Sequence, residues 1–343
     1  MNDSTTTASD INVVEIELSR PTFIIYICFG ILGVVGNGIV LFVIARVKEL
    51  RDTTNLLIAN QSLIDFTSSL LLMALFVAPL PPLPRHNHLL ASFLCGFWYT
   101  QYPFWATFPA TVINLAILTT ERYLAVVKPL RYRFKMKPRN AVLVFLIPWI
   151  SGFLYMSYLP FLTRVDDFLC FQFLWLSEIM QPVVGICTFV IFFFLPFVAM
   201  ITMYGHIVVA LRKQDAAFSS KLKGGVHQSR DYRNVARRNI IKTMMLLCIS
   251  YAVCWAPNQI LYLFYCLGGY VDFNGLVYYV TVCVGFINMW TNPFIYTLQY
   301  RKFQLGLATA FGWRQNPPGV HHATTVSTGT EVRQIVPGEQ PSS

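Results

Sequence analysis

Seven long stretches of this chain, at residues 22–45, 54–80, 92–120, 140–163, 179–211, 243–271 and 273–299, are almost devoid of charge. Each exceeds the roughly 20 apolar residues that a helix needs to cross about 30 Å of hydrocarbon. Lipid offers no water to backbone N–H and C=O groups, so only helices and closed barrels span it. These runs do not alternate in polarity and are far too long for barrel strands. The predicted fold is therefore an all-α membrane protein, a seven-transmembrane helix bundle. An odd number of crossings puts the two chain ends on opposite sides of the membrane, which suits a device that passes a signal through it.

Composition agrees, with 55% hydrophobic and 12% charged residues. A soluble globular chain carries about twice that charge. The net charge of +10 would suit a nucleic-acid partner, but its distribution excludes one. Of the 26 basic residues, only Arg20, Arg85 and Arg164 fall on the side of the N-terminus; the rest gather in the alternate loops and the C-terminal tail. This asymmetry orients the N-terminus outside and the C-terminus in the cytoplasm. The acids Asp3, Asp10, Glu15, Glu17, Asp166, Asp167, Glu178 and Asp272 fall outside.

The expected organisation is an extracellular tail over 1–21, the transmembrane domain over 22–299, a membrane-surface helix over 300–312 and a cytoplasmic tail over 313–343. The first 21 residues hold four acids and one Arg, unlike the basic start of a cleavable signal peptide. Asn2-Asp3-Ser4 fits the N-glycosylation pattern. Tyr300, Phe303, Leu307 and Phe311 space apolar groups among basic ones as in a surface amphipathic helix. No cysteine follows it, which excludes a palmitoyl anchor there. The last segment, with Pro317-Pro318-Gly319 and Thr324, Thr325, Ser327, Thr328 and Thr330, has the composition of a disordered tail. Of eight cysteines, Cys28, Cys187, Cys248, Cys254 and Cys283 lie in apolar spans and read as small buried hydrophobes. Cys95 and Cys170 face the oxidising side, where they can pair; Cys266 lies near the third outer loop.

Each span carries one further mark, in order: Gly36-Asn37, Leu63-Ile64-Asp65, Glu121-Arg122-Tyr123, Trp149, Pro196 with Tyr204, Cys254-Trp255-Ala256-Pro257, and Asn292-Pro293-Phe294-Ile295-Tyr296. In this the chain resembles the rhodopsin family of G-protein-coupled receptors over about residues 22–311, and among them the neuropeptide-type receptors. The resemblance implies a Cys95–Cys170 disulfide, a plasma-membrane location and a heterotrimeric G protein as inner partner. It implies coupling and activation roles for Glu121, Arg122, Tyr123, Leu130, Tyr204, Trp255, Pro257, Asn292, Pro293 and Tyr296. Val112, Pro196, Tyr251 and Trp255 would connect the outer pocket to the inner face.

Asp65 is the only ionisable group deep in any span, and such a charge costs roughly 3 kcal/mol to insert. By resemblance Asp65, Thr111, Asn288 and Asn292 line a site for a sodium ion, an allosteric modulator and the only cofactor-like group expected; Met289 stands where a small hydroxyl residue is usual. The bland alternative is Asp65 hydrogen-bonded to Asn37 and Asn292. At the inner boundary Arg122 has an adjacent acid that a mere membrane anchor does not need. Arg237 stands where many members carry an acid that restrains Arg122, so that restraint is expected to be absent and basal activity raised.

Phe104 and Phe286 occupy the positions of the amine-binding Asp and the retinal Lys of other members, which argues against monoamine and photoreceptor functions. The inferred ligand lining is Gln101, Phe104, Trp105, Phe108, Thr188, Phe192, Asn258, Gln259, Tyr262 and Tyr278, aromatic and amide-rich without charge. Asp166, Asp167, Glu178 and Asp272 ring the mouth, favouring a cationic ligand. The reading is a receptor without catalytic residues that binds a peptide outside and activates a G protein inside, with arrestin recruited to the phosphorylated Ser/Thr tail and membrane lipids around it. A lipid or other small apolar ligand is the alternative. A transporter or channel would want an internal repeat or several intramembrane charges, and neither is visible. Cys95 lies two residues further from Arg122 than the family spacing, and span three contains both Pro103 and Pro109, so a bulge is expected there.

Overall fold

The computed structural model describes residues 20–135, 138–167, 169–219, 228–273 and 275–313. Asn2 and the Ser/Thr-rich tail lie outside them. Span one is α1, Arg20–Arg46; span two is α2, Thr53–Leu72, prolonged by a π-turn over Met73–Val77. The short α3, His88–Leu94, leads through a second π-turn, Cys95–Tyr99, into α4, Tyr102–Val127. α5, Pro129–Lys135, precedes span four, α6, Pro138–Met156, at the end of the bundle expected to face inward; α7, Tyr158–Phe161, follows at the opposite end. The second outer loop forms an antiparallel hairpin of β1, Arg164–Asp166, and β2, Leu169–Phe171, with Val165 opposite Cys170.

Span five is α8, Met180–Phe189, a π-turn Val190–Phe194, and α9, Leu195–Ser219. Span six is α10, Gln228–Cys266, span seven α11, Leu276–Gln299, and the surface helix α12, Arg301–Ala310. Six of the seven long helices are apolar enough over their length to cross a membrane; the seventh, α11, is 24 residues long and carries Asn288, Thr291 and Asn292. The expected ends shift where hydropathy is a poor guide. α10 begins well before residue 243 because basic residues continue the helix beyond the apolar stretch. It stops at Cys266, just before Gly268, which takes φ +93°, a conformation glycine tolerates.

Span three is not one helix. Gln101 adopts a left-handed φ of 56°, uncommon for a residue with a Cβ, and Pro103 stands in the first turn of α4, where a missing N–H costs nothing. The π-turn and this break absorb the two extra residues between Cys95 and Arg122. They also aim Cys95 at the hairpin, where it bonds Cys170 with Cα atoms 5.5 Å apart.

α4 packs against α2, α6, α9 and α10 and forms the axis of the bundle. Close approach of α4 and α6 depends on Gly152, where an added Cβ would lie 2.2 Å from the carbonyl oxygen of Ala106. Small residues at such crossings let helix backbones meet in lipid. The inner core gathers Leu57, Leu115, Leu118, Leu247, Tyr251, Tyr296 and Phe303, and a smaller outer one holds Tyr26, Leu72, Phe104, Phe286 and Met289. α12 closes with Gly312 at φ +73°; Gly312 N–H bonds Thr309 O at 3.2 Å and Trp313 N–H bonds Ala308 O at 2.8 Å, the paired bonds of a Schellman cap.

Candidate functional site

Proline in a helix frees the carbonyl four residues before it, and in lipid that oxygen must find another donor. Pro196 frees Phe192 O, and the Tyr251 hydroxyl of α10 donates to it at 3.0 Å. Pro293 frees Met289 O, and Asn37 Nδ2 of α1 donates to it at 2.7 Å. The kinked helices are thus tied to neighbours at their kinks. Asn37 spends its other donor on Gly33 O at 3.0 Å, so of the two neutral partners expected for Asp65 only Asn292 is met.

Midway through the bundle lies a row of buried amides. Trp149 Nε1 donates to Asn60 Oδ1 at 3.0 Å, Asn60 Nδ2 to Asn114 Oδ1 at 3.0 Å, and Asn114 Nδ2 to Gln61 Oε1 at 3.0 Å. Gln61 Nε2 then donates to Asp65 Oδ1 at 3.1 Å, while Asn292 Nδ2 reaches Asp65 Oδ2 at 2.6 Å from the opposite side. These side-chain bonds all run in one direction, toward the carboxylate, and so polarise one another, while Asn60 and Asn114 also donate to Phe145 O and Leu57 O at 3.1 Å. Asn60, Gln61 and Asn114 were not singled out in the sequence. The available signal was the presence of amides inside apolar spans, with Gln61 one helical turn before Asp65.

Beside the carboxylate is a cavity lined by Asp65, Ser68, Phe104, Thr107, Phe108, Thr111, Trp255, Asn288 and Met289. It leaves about 10 Å³ for the centre of a water-sized sphere, roughly the room of one water. Asn288 Oδ1 and Asn292 Oδ1 are buried without a hydrogen-bond partner among the described residues. Of the expected set, Asp65, Thr111 and Asn288 line the cavity together, and Asn292 joins them through the bond from its amide nitrogen to Asp65. Such a donor set fits a small hard cation. Met289 lies in the lining as a thioether and supplies no hard oxygen.

Phe104 and Phe108 also line this cavity, and Phe108 lies 4.7 Å from Trp255 between ring centres. Phe104 packs in the outer core, 5.1 Å from both Phe76 and Phe286. Of the remaining expected ligand residues, Trp105 and Tyr278 pack against this outer core, and several others have partners of their own. Gln101 Oε1 accepts from Trp105 Nε1 at 3.2 Å, Thr188 shares a bond with the Tyr155 hydroxyl at 2.7 Å, and Tyr262 with the Tyr158 hydroxyl at 3.1 Å. Phe192 packs 4.1 Å from Tyr155, and Tyr278 lies 5.2 Å from Phe273. Asn258 and Gln259 are buried, and Gln259 Oε1 is without a partner among the described residues. Asp166, Asp167, Glu178 and Asp272 are exposed on the outer loops, and Asp166 lies 3.8 Å from Arg164.

At the inner end, the Arg122 guanidinium binds both Glu121 oxygens and the Thr54 hydroxyl of α2. Glu121 is wholly buried and also accepts from the Tyr132 hydroxyl of α5 at 2.8 Å. Burial, reinforced by the Glu121 carboxylate, pushes the Tyr132 hydroxyl up to about 12, so it remains a donor at neutral pH. Thr54 and Tyr132 are two partners that sequence reasoning missed; neither shows a signal beyond ordinary loop polarity. Tyr204 approaches Thr119 Oγ1 at 3.4 Å, and Tyr296 is fully buried with its hydroxyl unpaired among the described residues. Tyr123 lies under the Lys128 ammonium at 5.7 Å, and Leu130 is 73% exposed on α5. The side chain of Arg237 lies outside the described residues.

The family model of the 7 transmembrane receptor (rhodopsin family) matches residues 36–296. Similar proteins include galanin receptor 2b of Danio rerio, 26% identical over 94% of this chain and 82% of the relative. Galanin receptor type 1 of Rattus norvegicus is 25% identical over 85% and 83%, and the pyroglutamylated RF-amide peptide receptor of the same species 25% over 81% and 67%. With seven long helices in order and the disulfide between span three and the second outer loop, the chain belongs to the rhodopsin family of seven-transmembrane receptors.

Proposed function

We propose that this receptor binds a positively charged peptide at its outer mouth and activates a heterotrimeric G protein at its inner face. It sits in the plasma membrane with residues 1–21 outside and 313–343 in the cytoplasm. The observation that carries the inner half of this reading is Arg122, held by Glu121 and Thr54 at the end of the central helix. Release of that guanidinium gives the inner face two states between which a ligand can choose. Exposed Leu130 on α5 offers an apolar knob beside it.

For the outer half, support comes from relatives named as galanin and RF-amide peptide receptors, together with the exposed acids of the outer loops. Asp65, Thr111, Asn288 and Asn292 would hold a sodium ion, which would supply positive charge to the carboxylate. Asn2 carries a glycan, and the phosphorylated Ser/Thr tail recruits arrestin.

Cells expressing the receptor, screened with a peptide library for G-protein activation, test this. A cationic peptide should act at the wild type and fail at Arg122→Ala expressed at the same surface density. A potent anionic lipid agonist, with no peptide active, would overturn the ligand class. Full signalling by Arg122→Ala would overturn the inner site.

A further inference from the structure

A cation approaching Asp65 must compete with whatever already donates to it. Gln61, one helical turn before Asp65 on α2, is wholly buried, and its oxygen is fixed by Asn114 Nδ2 at 3.0 Å. Its amide nitrogen lies 3.1 Å from Asp65 Oδ1 and 3.4 Å from Thr111 Oγ1. A primary amide has two N–H groups, so one nitrogen spans two of the oxygens that a cation would use.

We propose that Gln61 is a tethered competitor for the cation: its amide takes the ion's place on Asp65 and Thr111, and sodium enters only when that amide turns away. Asn288 lines the pocket and its Oδ1 is buried without a partner among the described residues, so it would add to the ion's shell. The pocket thus has two occupants, one supplied by the chain and one by the solution. The length and polarity of residue 61 set the sodium concentration at which they exchange.

This inference rests on the reading of the Asp65 pocket as a sodium site, and the experiment separates the two. Full-length receptor in nanodiscs is melted across a sodium chloride series, with choline chloride holding ionic strength constant. A ligand that binds only the folded state raises the melting temperature with its concentration. Gln61→Met removes the donor at nearly constant volume. It should lower the sodium concentration at which the melting temperature begins to rise by roughly tenfold, the factor that corresponds to about 1.4 kcal/mol.

Gln61→Glu, which replaces the donor by an acceptor, should lower it at least as far, and serves if the Met variant does not fold. Asp65→Asn should abolish the sodium response. A sodium response in the wild type that neither Gln61 variant strengthens would overturn the competitor role and leave the sodium site standing. No response in any receptor, both Gln61 variants included, would overturn both.

Discussion

At the scale of single residues, the inner site depends on who holds Glu121. Tyr132 donates to it at 2.8 Å from α5, and a hydrogen bond to a charged group is worth about 1.5–3 kcal/mol. Tyr132→Phe should therefore loosen the Glu121–Arg122 unit and raise ligand-independent G-protein activation severalfold at matched surface expression. Unchanged basal signalling would show that the Thr54 and Glu121 contacts suffice. Arg237→Glu offers Arg122 an acid from span six and should lower the same basal signal; an unchanged or raised signal would count against the missing restraint as its cause. The kinks make a second residue-scale test. Asn37 supplies the donor that Pro293 took from Met289 O, and a buried acceptor left bare costs about 1–3 kcal/mol. Asn37→Leu should lower the melting temperature of the purified receptor, and so should Tyr251→Phe, which bares Phe192 O.

At the scale of elements, the spans were legible because uninterrupted apolar length is a strong signal in lipid. Their inner ends were not, since α10 runs on from Gln228 through basic residues that hydropathy counts as loop. The Cys95–Cys170 pairing was legible through resemblance, and the crowding of span three hinted at an irregularity. The left-handed Gln101 and the hairpin were hidden because local backbone geometry leaves no hydropathic trace. The buried amides Asn60, Gln61 and Asn114 were visible as letters, yet which partner each met depended on how the spans pack. Gly152 marks the tightest such packing described above, with Ala106 O in the way of any Cβ. Gly152→Leu should push α4 and α6 apart and cut surface expression sharply, whereas Gly38→Ala, whose added Cβ would meet only the Phe66 ring at 3.6 Å, should be tolerated. Equal expression of the two variants would refute the close-approach argument. Serine at Cys95 or Cys170 opens a loop of 75 residues' separation, worth on the order of 4 kcal/mol in the chain-entropy model, and should lower both expression and binding.

At the scale of the whole molecule, the basic residues gather in the loops on one side of the spans, while Asp166, Asp167, Glu178 and Asp272 stand exposed on the loops of the other. Neutral isosteres at Asp166, Asp167, Glu178 and Asp272 should slow the association of a cationic peptide, by a factor that shrinks as salt screens the field. An association rate insensitive to both substitution and salt would remove the steering role. The row of amides that ends on Asp65 has a different kind of consequence, for how such a sequence can change. Gln61 and Asn114 each serve a partner on both sides, so replacing either strands two neighbours, while replacing Trp149 strands only Asn60. Changes along this row should therefore be coupled rather than additive. Substitutions at its middle should be tolerated better in company, and a library varying Asn60, Gln61 and Asn114 together should yield receptors that melt higher than the sum of the same changes made singly predicts.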